Sequence, residues 1–183
     1  MRQNKLTSST VHSVLTKFRK DPTTTSLRDF IPQNNPWLST IPCVFYGSRM
    51  EGLVKQRLAE EMPRLHTAFE LEEDGGIITR EDMPNCLASP DAFWKCECCT
   101  EGQKVPVEIK CPYTSKKLSD CQYIKDGKLR HSSSYYSQIQ WQMLLHNANI
   151  GFFVVFVNDT LSIEKIEKDA ALWEEFHNIN KNY

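Results

Sequence analysis

The 183-residue sequence has no apolar stretch long enough to cross a bilayer. Its longest apolar run, Phe152 to Val157, covers six residues, whereas a spanning helix needs roughly 20. No basic-then-apolar segment opens the chain, so nothing marks it for secretion. An intracellular protein, nuclear or cytoplasmic and without a membrane partner, is expected. Internal repeats and low-complexity tracts are also missing, which excludes array-like and linker-like readings. Net charge is scarce too: 22 Lys and Arg oppose 23 Asp and Glu, so overall charge announces no polyanionic partner.

Cysteine is not scarce. There are seven, an odd number, and without a secretory signal reduced thiols are expected rather than a disulfide framework. Cys96, Cys98 and Cys99 crowd together, as in zinc or iron–sulfur sites. No second Cys or His pair follows at finger-like spacing, and Cys96 and Cys98 alternate with Lys95 and Glu97 as on a strand. A structural metal there is therefore not expected, and a zinc-organised interaction domain stays only as an alternative.

At 40% hydrophobic and 25% charged, the composition is that of one globular domain spanning 1–183, which a longer polypeptide could also contain. Charge is unevenly distributed. Residues 1–30 carry Arg2, Lys5, Lys17, Arg19, Lys20 and Arg28 against Asp21 and Asp29, a local excess of four positive charges. The stretch 114–133 is also basic, and the tail from Asp159 is acidic. Solvated faces account for such asymmetry as well as a basic binding surface does.

Thr7-Ser8-Ser9 reads as a helix start, followed by Val11, Val14, Leu15 and Phe18 at helical spacing, with Asp21-Pro22 as the stop. Gly47 to Met62 reads as an amphipathic helix with Met50, Leu53, Val54 and Leu58 on one side. Residues 65–72 and 77–80 flank Asp74-Gly75-Gly76, a hairpin signal, and 87–98 with 105–111 read as a second strand pair. The segment 113–133 suggests a short helix and a mobile loop. Ser134 to His146 should be helical, 151–157 a buried strand with 161–167 as its neighbour, and 170–179 a last helix. This order predicts an α/β fold with a central mixed sheet flanked by helices.

The chemistry concentrates at Ser89-Pro90-Asp91 and, seventeen residues after Asp91, at Glu108-Ile109-Lys110. Alternate residues of a strand share a face about 6.6–7 Å apart, so Glu108 and Lys110 point one way while Val107, Ile109 and Cys111 point into the core. A hairpin would set Asp91 beside Glu108. Two carboxylates and an ammonium at the edge of an apolar sheet suit a hard divalent cation and a phosphate ester. A strand-edge salt bridge would use the same residues.

Together these motifs resemble the PD-(D/E)xK nucleases, and more narrowly the lambda-exonuclease or YqaJ-type viral recombinase family. That family reads S-P-D, then E-x-K-C-P, then a helix with Q-x-Q. Here the counterparts are Ser89-Pro90-Asp91, Glu108-Ile109-Lys110-Cys111-Pro112 and Gln138-Ile139-Gln140. Gly47 to Glu51 is similar to the family's G-x-x-x-E helix, and Leu6-Thr7-Ser8-Ser9 to its opening I-T-A-S. The motifs occur in family order over nearly the whole chain. Ala92 replaces the usual glycine after S-P-D.

The resemblance implies a restriction-endonuclease-like core and Mg²⁺-dependent hydrolysis of linear double-stranded DNA, 5′→3′, leaving 3′ single strands. It implies a two-metal site, with Mn²⁺ as a substitute, held by Asp91, Glu108, the Ile109 carbonyl and Glu51. Lys110 would be the catalytic lysine, and Gln138 would position water or phosphate. Arg2, Ser9, Arg19 and Ser89 would contact DNA and its 5′ phosphate. DNA ends, a single-strand annealing protein and a homotrimer are the implied partners. An endonuclease, a single-strand or RNA nuclease of the same fold, and a silent DNA-end-binding module remain open alternatives.

Overall fold

A computed structural model of the protein describes residues 5–21, 30, 37 and 40–181. The chain runs β1 (Leu6–Thr7), α1 (Val11–Lys20), α2 (Pro42–Glu61), β2 (Glu70–Glu72), β3 (Ile78–Arg80), β4 (Met83–Ala88), β5 (Ala92–Lys95) and α3 (Glu97–Thr100). It continues through β6 (Val105–Lys110), β7 (Ile124–Lys125), β8 (Lys128–Leu129), α4 (Ser134–His146), β9 (Ile150–Val157), β10 (Thr160–Glu167) and α5 (Ala170–Lys181). No helix among the described residues is long and apolar enough to cross a membrane.

The central sheet has five strands in the order β10-β9-β6-β5-β2. It is mixed: β6 and β9 pair in parallel through the α4 crossover, and the other pairs are antiparallel. The expected α/β architecture is therefore the observed one. The continuous apolar run of β9 is explained by coverage on both faces. Phe153 and Val155 join a core built with α1, α4 and α5, while Phe152, Val154 and Phe156 meet Val54 and Leu58 of α2. Ser133 caps α4, its hydroxyl accepting from the Tyr135 N–H, and Asn147 closes that helix in a left-handed conformation at φ 58°.

Local corrections to the sequence reading have physical causes. The expected hairpin around Asp74-Gly75-Gly76 does not form: β2 pairs with β5, whereas β3 pairs with β4 in a separate three-stranded sheet ordered β1-β4-β3. The strand expected over 87–98 breaks at Ser89-Pro90-Asp91, and α3 takes up Cys98 and Cys99 at its far end. Leu6–Thr7 is a short parallel strand on β4, so α1 begins only at Val11 after a Thr10 cap position. Helix α2 starts earlier than expected, at Pro42, whose missing N–H costs nothing in a first turn. Leu53 is 48% exposed rather than on the buried stripe. The segment expected to be a mobile loop holds a 3-10 turn and the β7–β8 hairpin, with Cys121, Ile124 and Leu129 buried.

Candidate active site

Strand β6 presents two of the candidate residues, Glu108 and Lys110, because its two faces meet different neighbours. Val107 and Ile109 pack into the core under α2. Glu108, on the opposite face, points toward α4 and is only 1% exposed. An ion buried so deeply costs several kcal/mol unless its oxygens are satisfied, of the order expected for a desolvated carboxylate. Three donors meet it. Gln138 and Gln142, one helical turn apart on α4, donate to Oε1 and Oε2 at 2.6 Å each, and the Lys110 ammonium also donates to Oε1. Lys110 lies over the Tyr135 ring, 4.9 Å from its centroid.

Asp91 sits where the chain enters β5. Its N–H donates to the Val107 carbonyl at 3.0 Å, and its Oδ2 accepts from the Ile109 N–H at 2.6 Å. The β5–β6 register pairs Ala92 with Val107, which sets Asp91 beside Glu108 as the sequence predicted. Because Ile109 aims its N–H at Asp91, its carbonyl lies on the same edge of the strand.

Glu51 of α2 lines a cleft of about 350 Å³ with Asp91, Ser89, Pro90 and the 73–77 turn. It pairs with Lys55 at 2.9 Å. Three carboxylates thus face two ammonium groups. Burial, then the Glu108 carboxylate, push Asp91 well above the ordinary carboxylate range. Burial works against the Lys110 ammonium, but Glu108 and Asp91 outweigh it and hold it above the usual lysine value. This donor set of hard oxygens fits a divalent cation of the Mg²⁺ or Mn²⁺ kind, which Asp91, Glu108 and the Ile109 carbonyl would hold with Glu51 nearby.

The sequence-predicted residues divide as follows. Asp91, Glu108, Lys110 and Gln138 converge, and Glu51 faces Asp91 across the cleft. Ser89 lines that cleft, donating its hydroxyl to the Gly76 carbonyl at 2.8 Å. The parallel register pairs Leu6 with Cys86 and Thr7 with Leu87, so Ser9 and Ser89 leave the small sheet at the same end. Arg19 lies elsewhere, on a cleft of about 390 Å³ lined also by His12, His131, Tyr136 and Asp169. Its guanidinium grips Glu175 through two bonds of 2.7 and 2.8 Å. Arg2 falls outside the described residues.

Gln142 was not foreseen, although its place four residues after Gln138 puts both on one face of α4. Gln140, the second glutamine of the Q-x-Q pattern, has a different task. Its Oε1 accepts from the Trp173 indole and the Asp169 N–H at 2.9 and 3.1 Å, and its Nε2 donates to the Glu167 carbonyl at 2.7 Å.

The chain is 24% identical over 164 residues to the alkaline nuclease of Autographa californica nuclear polyhedrosis virus, covering 71% of this chain but only 38% of that relative's length. The alkaline exonuclease LHK-Exo of Laribacter hongkongensis shares its fold with a TM-score of 0.66 at 22% identity, over 99% of this chain and 87% of the other. A phage-related exonuclease from Haemophilus somnus 129PT superposes with a TM-score of 0.57 at 11% identity, over 98% and 92%. The YqaJ-like viral recombinase domain matches residues 1–149, and the chain belongs to that family.

Proposed function

We propose that this protein is a metal-dependent exonuclease acting on the ends of linear double-stranded DNA, degrading the 5′-ended strand and leaving a 3′ single strand. The observation that carries the reading is the convergence of Asp91, Glu108 and Lys110 where β5 begins beside β6. Family membership and fold support it, as do the nuclease and exonuclease names of its relatives.

A divalent cation bound by Asp91 and Glu108 would polarise the scissile phosphate and acidify a water there. The chain's own groups do the rest. Lys110, paired with Glu108 and so kept protonated, places positive charge for the phosphate rather than abstracting a proton. Gln138 and Gln142 hold the Glu108 carboxylate plane. Ser89 and Ser9, at one end of the small sheet, offer hydroxyls to a terminal phosphate. Mg²⁺ is the proposed ion, with Mn²⁺ able to substitute.

The test is digestion of a linear duplex carrying a 5′ phosphate on one strand and a 5′ hydroxyl on the other, with Mg²⁺ and with EDTA. The expected result is metal-dependent loss of the phosphorylated strand, abolished by Asp91→Ala. Cutting of closed circles at the same rate would replace the exonuclease by an endonuclease. No cleavage with either metal would leave a DNA-end-binding module.

A further inference from the structure

A second cluster of side chains of metal-ligating type lies at the opposite end of β5 from the nuclease site. Its ligands are far apart in sequence, and the sheet brings them together. Pairing of Glu70 with Lys95 lays the segment before β2 beside the end of β5. The Glu97 N–H then bonds the Thr67 carbonyl at 3.0 Å. Thr100 folds α3 back on itself, its hydroxyl accepting from the Cys96 N–H at 3.0 Å and donating to the Cys96 carbonyl at 2.7 Å. His66 stands edge-on to Trp94, with ring centroids 5.0 Å apart.

The result is that the His66 Nδ1 and the sulfurs of Cys96, Cys98 and Cys99 all lie within 4.8 Å of one another. The Cys98 sulfur is 3.7 Å from those of both Cys96 and Cys99. The imidazole nitrogen is 3.2, 3.9 and 3.5 Å from Cys98, Cys96 and Cys99. A tetrahedron with zinc–sulfur bonds of about 2.3 Å and zinc–nitrogen bonds of about 2.0–2.1 Å has edges of about 3.8 Å between sulfurs and about 3.5 Å from sulfur to nitrogen. The observed edges scatter around those lengths. None of the cysteines is in a disulfide. An iron–sulfur cluster would spread its sulfur ligands wider than a single ion does.

We propose that His66, Cys96, Cys98 and Cys99 form a closed, four-coordinate Zn²⁺ site. The ion has no open position for substrate, so it is structural. The Trp94 indole N–H donates to the buried Cys96 sulfur at 3.3 Å, the outer hydrogen bond that orients such a ligand. Cys98 is exposed, which gives the ion a way in. Zinc there ties the segment following α2, the helix of Glu51, to the end of β5, the strand that Asp91 begins. The two elements framing the nuclease cleft are thereby stapled at their far ends.

The test uses the full chain without a histidine tag, purified under reducing conditions without chelator. Elemental analysis should find about one zinc per chain, as a closed site of this kind holds one ion. The Cys98→Ser/Cys99→Ser double variant should fall to background, while Asp91→Ala keeps its zinc although it abolishes cleavage. That contrast separates this proposal from the nuclease reading, which can fail independently. If the double variant does not fold, Co²⁺ substitution of the natural chain decides the matter. A tetrahedral spectrum with sulfur-to-cobalt charge transfer is expected, and His66→Cys should keep the metal and intensify that band. Absence of both zinc and a cobalt charge-transfer band overturns the site, as does undiminished zinc in the double variant or a His66→Cys spectrum identical to that of the natural chain.

Discussion

Gln142 donates its side-chain amide to Glu108 Oε2 at 2.6 Å from a position with no solvent exposure. With Gln138 on Oε1, it fixes the carboxylate in two directions at once. Removing one such outer partner typically costs about 10–100-fold in metal affinity or activity. Gln142→Met should therefore weaken Mg²⁺ or Mn²⁺ binding and lower kcat by that order while DNA affinity holds. Gln140→Met loses contacts to Trp173, Asp169 and Glu167 instead, so it should lower Tm and leave metal affinity alone. Calorimetric metal titration of both variants distinguishes the two, and an unchanged affinity in Gln142→Met would remove its positioning role.

Asp91 predicts how the metal-free protein responds to pH. Burial and the neighbouring Glu108 push its pKa up to about 8. The folded state therefore binds this proton more tightly than the unfolded state does. The stability it contributes is complete below the unfolded carboxylate value near 3.8 and is lost as pH rises through about 8. Metal must displace the same proton, so apparent metal affinity should climb with pH and level off above that value. Asp91→Asn should flatten the stability profile of the metal-free chain. Thermal melts from pH 5 to 9 with and without Mn²⁺ test it, and a natural-sequence profile parallel to that of Asp91→Asn would refute the assignment.

The legible parts of the fold were those in which one strand or helix states its own surroundings. Strand β6 announces itself because Val107 and Ile109 alternate with Glu108 and Lys110, a two-residue period that fixes both its faces. The unbroken apolar run of β9 could only be a strand covered on both sides. Partner choice was legible where a short connection joins the strands, as for β5 with β6 and β9 with β10, but not for β2 and β3. Asp74-Gly75-Gly76 has hairpin composition, yet its flanking strands join different sheets, because pairing depends on what the rest of the chain places alongside. His66 escaped notice for the same reason: it lies thirty residues before Cys96, and only the β2–β5 pairing brings them together.

Arg19 and Glu175 form an exposed, two-bond pair, and such pairs contribute roughly 0–1 kcal/mol to stability. Breaking it should scarcely move Tm. If Arg19 reaches a DNA phosphate, Glu175 competes with that phosphate. Glu175→Gln should then tighten DNA binding at low salt, and Arg19→Ala should weaken it and reduce the salt slope by about one. Fluorescence anisotropy across a salt series measures both. Equal slopes in the natural and Arg19→Ala chains would take Arg19 out of the DNA surface.

Gly75 has no exceptional backbone angle, yet it is the glycine least able to change. A Cβ built there would come 2.0 Å from the Pro90 carbonyl oxygen and 2.8 Å from its carbon, a contact with backbone that no side-chain rotation relieves. Pro90 immediately precedes Asp91, so any relief moves the carboxylate that the Ile109 N–H holds. Displacements of about 1 Å at reacting groups can cost on the order of a hundredfold in rate. Gly75→Ala should accordingly lose kcat and metal affinity together. Gly76 is the control: its φ of +57° makes alanine strained, but the space around it is open. Gly76→Ala should cost about 1 kcal/mol in stability, the usual penalty for a left-handed alanine, and leave kcat nearly intact. Kinetics and melts on the two variants separate steric pressure on Asp91 from simple backbone strain, because strain alone would make them behave alike.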